Sequence, residues 1–304
     1  MADSSAYLPL LRMSIAMQDK PDLSTAHEMD PERAAWLKEA MANLLQNPVD
    51  ELKQACERLK AAIKSENTEE EELVNTFEVI LALVENIDLA RDFHKLGGLQ
   101  STVDLLKGKG SCNSNKVLAL ACQTIGTVVH NHPETQTFAN ELDALTALCL
   151  VLSNKDGHDD MVQNKCLFAL LGLIRHNDAA LMRFIKEFKG ISLLVMAMER
   201  AGSSAQTNRK ALLLLVYVLQ RVPALVCVLT AEHSFDVVAA ALTKYAQEDV
   251  DCRQTAAQFF HLYRTVELSP ALYQLRKTAL QYTLPIAEQD QDELTVDICR
   301  ELLL

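Results

Sequence analysis

The sequence predicts an all-α protein, and three observations carry that prediction. First, helical stripes recur: VLALACQTIGTVVHN from Val117, CLFALLGLIRHN from Cys166, ALLLLVYVLQRV from Ala211 and TAAQFFHLYRTV from Thr255 align, with VNTFEVILALVENID from Val74 as an earlier copy. Second, each stripe is followed by a loop, a short segment with an apolar anchor, and a second helical stretch of the form LxxLxxxL. The anchors Phe93, Phe138, Phe184 and Val228 lie roughly 45 residues apart, the period of armadillo and HEAT units. Third, 49% of the 304 residues are hydrophobic but only 5% are aromatic, and runs of alternating β-branched residues are few. A two- or three-helix unit cannot bury its apolar face alone, so neighbours must stack into one continuous core. The expected architecture is an armadillo-like, right-handed α-solenoid with capping helices at both ends, and the last helix of each unit lines its concave surface.

The elements follow in order. Residues 1–29 form a tail with one apolar stretch: Leu8, Leu10, Leu11, Ile15 and Met17, with Arg12 among them. This stretch either folds back on the solenoid or is presented to a partner, and Pro21 and its polar neighbours make a hinge. The solenoid domain is expected over 30–304, with caps at about 30–65 and 267–304. Asp30-Pro31-Glu32 supplies an N-cap acid, a first-turn proline and a first-turn acid. The helix it opens holds Trp36, a candidate core anchor, and Asn47-Pro48 ends it. A second helix runs from about Val49 to Ile63. Glu69 to Glu72 reads as the solvated first turn of the next, which is expected to extend from Leu73 to Asp88. Glu85, Asn86 and Asp88 cannot all be core residues, so some must cap or face the groove. Gly97-Gly98 marks a turn.

The central stretch from Met161 to Asn177 reads as one buried helix, with an i, i+3, i+4, i+7 stripe through Cys166, Leu167, Ala169, Leu170, Leu173 and Ile174. Arg209-Lys210 reads as the opening of the following groove helix, a basic pair suited to an acidic partner. From Ser269 onward the repeat fades into terminal helices.

Several function classes are disfavoured. A net charge of −12 opposes binding to nucleic acid or an anionic membrane, since phosphate contacts need clustered cations. No run approaches the roughly 18 apolar residues of a membrane span, and Asp3 stands where a signal peptide needs basic residues. The chain reads as cytosolic. Its eight cysteines are scattered, without CxxC, and read as buried thiols. KGKGSCNSNK is no Walker A loop, HNH at His130–His132 lacks a ββα-metal context, and His158-Asp159-Asp160 is a polar loop. GxSxG, HExxH and GxGxxG are all missing. No catalytic residue, metal site or cofactor is expected. The competing readings are an adaptor for another protein and, much less favoured, an enzyme.

LVENIDLARDF, QTIGTVVHN, VQNKCLFALLGLIRHN and the N-terminal LLRMSIA together resemble the armadillo-type nucleotide exchange factors of the seventy-kilodalton, DnaK-type heat-shock chaperones, the family of heat-shock-protein-binding protein one and its fungal relatives. The resemblance covers the tail, the entry helix ERAAWLKEAM and the repeats to about residue 220. It implies a co-chaperone whose concave face embraces the chaperone's nucleotide-binding domain and loosens ADP. It also implies a release segment, Leu8, Leu10, Leu11, Arg12, Ile15 and Met17, that occupies the chaperone's substrate groove. The contact residues it implies are Glu85, Asn86 and Ala90 in the first groove helix region, Gln123, Thr127 and Asn131 in the second, Lys165, Phe168 and Arg175 in the third, Lys210 and Tyr217 in the fourth, and His261. Lys210 stands where family members carry another basic residue, and Phe168 reads as an exposed anchor. Thr127, Gly172 and Tyr217 replace the asparagines of import-type armadillo repeats, which argues against an adaptor that clamps extended peptide.

Overall fold

A computed structural model describes residues 47–304 except 66, 110–113, 131, 155–157, 201 and 226–232. The apolar tail segment, Trp36, Asn131, Val228 and the 29/30 boundary lie outside the described residues. Among those described there are fifteen α-helices and no strands. Helices α1 (Pro48–Lys64) and α2 (Glu70–Val84) come first. Three units of three helices follow. They are α3 (Ile87–Lys95), α4 (Gly98–Leu106) and α5 (Asn115–Val129); then α6 (Pro133–Glu141), α7 (Ala144–Ser153) and α8 (Asp160–Ile174); then α9 (Asp178–Lys186), α10 (Gly190–Glu199) and α11 (Ala205–Arg221). A 3₁₀ turn, Pro223–Leu225, leads to α12 (Ser234–Tyr245) and α13 (Val250–Leu262), and α14 (Pro270–Gln289) and α15 (Glu293–Leu303) end the chain.

Two ladders run through these units. The third helices α2, α5, α8, α11, α13 and α15 pack in succession, and so do the second helices α1, α4, α7, α10, α12 and α14. This is the expected α-solenoid. The expected C-terminal cap takes a repeat-like form: α14 continues the second-helix ladder and α15 the third. Sequence periodicity fades there while the stacking persists.

Local chemistry sets the unit boundaries. Each third helix from α5 to α13 starts on a side chain that accepts an N–H of its first turn: Ser114, Asp159, Ser204 and Asp249, satisfying a donor the helix itself cannot. Each of the three described first-to-second helix turns passes through one left-handed residue, Gly97, Asp143 or Lys189, and His233 takes the same conformation before α12. The residue after it is buried and small: Gly98, Ala144, Gly190 or Ser234. In two units the reason is direct. A Cβ on Gly98 would lie 2.2 Å from Cε2 of the anchor Phe93, and one on Gly190 would lie 2.2 Å from Cε1 of Phe184. Phe93 and Phe184 are fully buried. Phe138 is half-buried and stacks on His94 of the preceding unit, with ring centroids 4.0 Å apart.

Three boundaries differ from expectation. The helix expected to reach Asp88 ends at Val84, because the Asn86 side chain accepts from the N–H groups of Asp88 (2.9 Å) and Leu89 and starts α3 instead. The central helix ends at Ile174 rather than Asn177: Arg175 is extended, His176 has φ 60°, and Asn177 caps α9. Finally, α11 opens at Ala205 on the Ser204 cap, so Arg209-Lys210 sits in its second turn and not at its start.

The glutamate run behaves as expected, with Glu69 at the N-cap and Glu70 to Glu72 exposed in the first turn of α2. The six described cysteines, Cys56, Cys122, Cys149, Cys166, Cys252 and Cys299, are free and buried. Burial pushes the thiols of Cys149, Cys252 and Cys299 up to about 12, which makes them poor nucleophiles. At the C-terminal end, the fully buried Arg253 guanidinium donates to Asp292 (2.9 Å), Asp290 (2.7 Å) and the Ala246 carbonyl (2.7 Å), tying α13 to the α14–α15 turn. Burial raises the Asp292 carboxyl, but hydrogen bonds from Thr295, Gln254 and Arg253 outweigh it and hold the group below the usual carboxylate range.

Candidate protein-binding face

The third-helix ladder carries the candidate face, built around Phe168 on α8. Gly126 on α5 makes room for its ring, since a Cβ there would lie 2.5 Å from Phe168 Cδ1. Gly172 lets the same two helices approach, with Val129 Cγ2 and the Gly126 carbonyl within 3.1 and 3.3 Å of the Cβ it lacks. The His130 ring lies 6.0 Å from that of Phe168, and Lys210 Nζ, from α11, sits 5.6 Å from its centroid, within cation–π range. Phe168 is therefore half-buried rather than a free anchor.

Lys210 Nζ donates to Asn164 Oδ1 (2.5 Å) and to the Asn164 carbonyl (3.3 Å). Asn164 Nδ2 faces Thr207 Oγ1 at 3.3 Å, which orients the amide. Burial pushes the Lys210 ammonium down to about 8, helped by the neighbouring cations Lys165 and Arg209, while Asp160 acts the other way. Arg209 pairs with Asp251 (2.9 Å) and Asp249 (3.5 Å), and Asp160 accepts from the Ser204 N–H (3.0 Å). No carboxylate among the described residues pairs with Lys210 itself. Sequence reasoning missed Asn164. Its signal was a polar residue inside an apolar helical run.

The structure brings Glu85, Ala90, Thr127 and Phe168 around one pocket of about 320 Å³, together with Ile87 and His130. Ile87 is 61% exposed and was not singled out from the sequence, because a motif match does not say which of its apolar residues faces out. Ala90 is 3% exposed: its side chain belongs to the core of α3, so it offers little surface. Glu85 and Asn86 are exposed, and Gln123 and Thr127 are half-buried on α5. A second recess of about 190 Å³ gathers Arg175 and Tyr217 with Leu171 and the exposed Leu213. Both candidates there also serve the α8 terminus. The Tyr217 hydroxyl accepts from the His176 N–H (3.0 Å), and Gln136 Nε2 donates to the carbonyls of Gly172 (2.7 Å) and Arg175 (3.1 Å). Lys165 is half-buried beside Lys210. His261 lies apart from the Phe168 cluster, with Nδ1 3.4 Å from Glu301 on α15.

No group of three or more His, Cys, Asp or Glu among the described residues has the placement of a metal site, and no described helix is long and apolar enough to cross a membrane. The arrangement offers an amphipathic surface of apolar recesses flanked by cations.

Comparisons with known proteins place the chain in a family. The model of the SIL1/FES1/HPBP1 C-terminal domain matches residues 89–299, and the model named nucleotide exchange factor Fes1 matches residues 9–93. Human Hsp70-binding protein 1 is 31% identical over 201 residues, 63% of this chain and 54% of that protein. The Hsp70 nucleotide exchange factor fes1 of Schizosaccharomyces pombe is 27% identical over 240 residues, 78% of this chain and 79% of its own length. The nucleotide exchange factor SIL1 of Rattus norvegicus is 26% identical over 262 residues, 81% of this chain and 50% of that protein. The chain spans about half the length of the first curated relatives it matches. Among solved structures, a designed armadillo repeat protein in complex with a (KR)4 peptide superposes with a TM-score of 0.55 at 16% identity, over 83% of this chain and 99% of the other. An engineered protein from structural genomics gives 0.60 at 16% identity, over 83% and 96%. These two support the fold alone. The family match reaches residue 299, well past the point near 220 where the sequence resemblance fades, and the chain belongs to the SIL1/FES1/HPBP1 family.

Proposed function

We propose that this protein is a nucleotide exchange factor of an Hsp70 chaperone, acting in the cytosol as a co-chaperone without chemistry of its own. The family match along residues 9–93 and 89–299 carries the reading. The third-helix ladder is the docking face, and the chaperone's nucleotide-binding domain is the partner. The half-buried Phe168–Lys210 pair is the centre of that face. Glu85, Asn86, Gln123, Thr127, Lys165, Arg175 and Tyr217 surround it, Asn131 belongs to the same set, and His261 is peripheral. A protein that favours the opened, nucleotide-free chaperone must weaken ADP binding by the factor by which ADP weakens its own binding.

That reciprocity supplies the test. Calorimetric titration against the isolated nucleotide-binding domain should give tighter binding without nucleotide than with ADP, by about 5- to 150-fold. Equal affinity in the two states would remove the exchange function and leave an adaptor. Residues 8–17 are proposed to act separately, in the chaperone's substrate groove. Deleting them should leave ADP release unchanged while slowing client release, and equal loss of both activities would rule out a separate role.

A further inference from the structure

The recess of about 190 Å³ between α8, α11 and α13 differs in chemistry from the Phe168 pocket. Leu171, Leu213 and Val216 give it an apolar wall, and its polar members are Arg175, Tyr217, Gln220 and Gln258. No Asp or Glu among the described residues lines it. Arg175 is exposed, and no carboxylate among the described residues pairs with its guanidinium. Asp178, three positions on, is taken by Arg221 at 2.6 Å. The Tyr217 hydroxyl accepts the His176 N–H (3.0 Å), which leaves its own O–H to donate, and both glutamines can supply amide N–H groups. The main chain beneath is fixed: Arg175 is extended after the end of α8, and its carbonyl accepts from Gln136 Nε2 (3.1 Å). The recess therefore gathers donors and one unbalanced cation against an apolar wall.

We propose that this recess reads a carboxylate: it takes one Asp or Glu side chain from the chaperone's nucleotide-binding domain, a proposal that rests on the docking reading above. The planar guanidinium fork matches a carboxylate through two parallel N–H···O bonds, and the methylene stem lies against Leu171 and Leu213. Charge complementarity selects this occupant. An apolar or cationic side chain docked here would cover the Arg175 guanidinium without balancing it, which is costly. A volume of about 190 Å³ suits a side chain rather than a length of backbone. The face then makes two unlike demands on its partner, apolar contact at Ile87 and the Phe168 pocket and an acid at Arg175.

The test is calorimetric titration of the full chain with the nucleotide-free nucleotide-binding domain of a cytosolic Hsp70. Arg175→Met keeps the aliphatic stem and the main-chain bond from Gln136, so its helical spectrum and urea midpoint should match those of the wild type. Its affinity should fall on the order of 10- to 100-fold. Arg175→Lys keeps the charge but loses the fork, and should recover only part of that loss. The surface Asp and Glu residues of the chaperone domain are then changed singly to Asn or Gln. One of these changes should weaken the wild-type chain about as much as Arg175→Met does, and should weaken the Arg175→Met chain no further. A residue that merely shaped the fold would show no such coupling. Unchanged affinity in Arg175→Met would overturn the proposal, and so would a loss coupled to none of the acids; in both cases wild-type binding leaves the docking reading standing. A wild-type chain that does not bind the domain overturns both.

Discussion

At the scale of single residues, exposure decides which substitutions report on docking. Ile87 presents 61% of its surface beside the Phe168 pocket, so Ile87→Asp removes an apolar contact without opening the core. Its effect on folding should stay within about 0.5 kcal/mol, while affinity for the chaperone falls by roughly tenfold if the pocket is a binding centre. Ala90→Arg is a different experiment: at 3% exposure a buried guanidinium must first disturb α3, so loss of binding there should come with loss of thermal stability. Paired thermal and calorimetric measurements on both variants separate the cases. The positions were legible in the sequence as a motif, ENIDLA. Their roles were not, because Asn86 turns the chain and sends Ile87 outward and Ala90 inward, a consequence of one side chain capping two N–H groups.

At the scale of elements, the first-to-second helix turn is the most constrained joint. It combines a left-handed residue with a buried small one, and at Gly98 the anchor Phe93 fills the space that a side chain would need. Gly98→Ala brings a methyl within 2.2 Å of that ring and 2.8 Å of Cys56 Sγ. Such overpacking should cost about 1–3 kcal/mol, read as a lower urea midpoint. No change would mean the turn relaxes freely. Helix cores were readable because a 3.6-residue stripe survives any context. Ends were not: the α2, α8 and α11 boundaries depend on Asn86, His176 and Ser204, whose influence is local and leaves no periodic trace. The Phe168 site was half readable for the same reason. Its aromatic and basic members stand out in sequence, whereas Asn164 and Gly126 matter only once α5, α8 and α11 are side by side.

At the scale of the whole molecule, stacking does what no single unit can. Ladders of second and third helices run from α1 and α2 to α14 and α15, so the stacking continues where the sequence repeat has faded. The buried Arg253 cluster secures that end. Removing one partner from such a cluster leaves an uncompensated charge, at a cost of about 3–5 kcal/mol. Because the Asp292 carboxyl is held below its ordinary range, its contribution is present above the unfolded pKa and is lost as pH falls through the folded one. A continuous ladder also suits the proposed function, since a docking face loosens a chaperone lobe by as much as it binds the opened state better than the closed one. The most direct measurement is stopped-flow release of a fluorescent ADP analogue from a cytosolic Hsp70, with this protein, with Lys210→Ala or with Phe168→Ala. A nucleotide exchange factor docking through this face should accelerate release strongly, and either variant should lose roughly tenfold or more in potency. An unchanged release rate in the presence of saturating wild-type protein would contradict the proposed function.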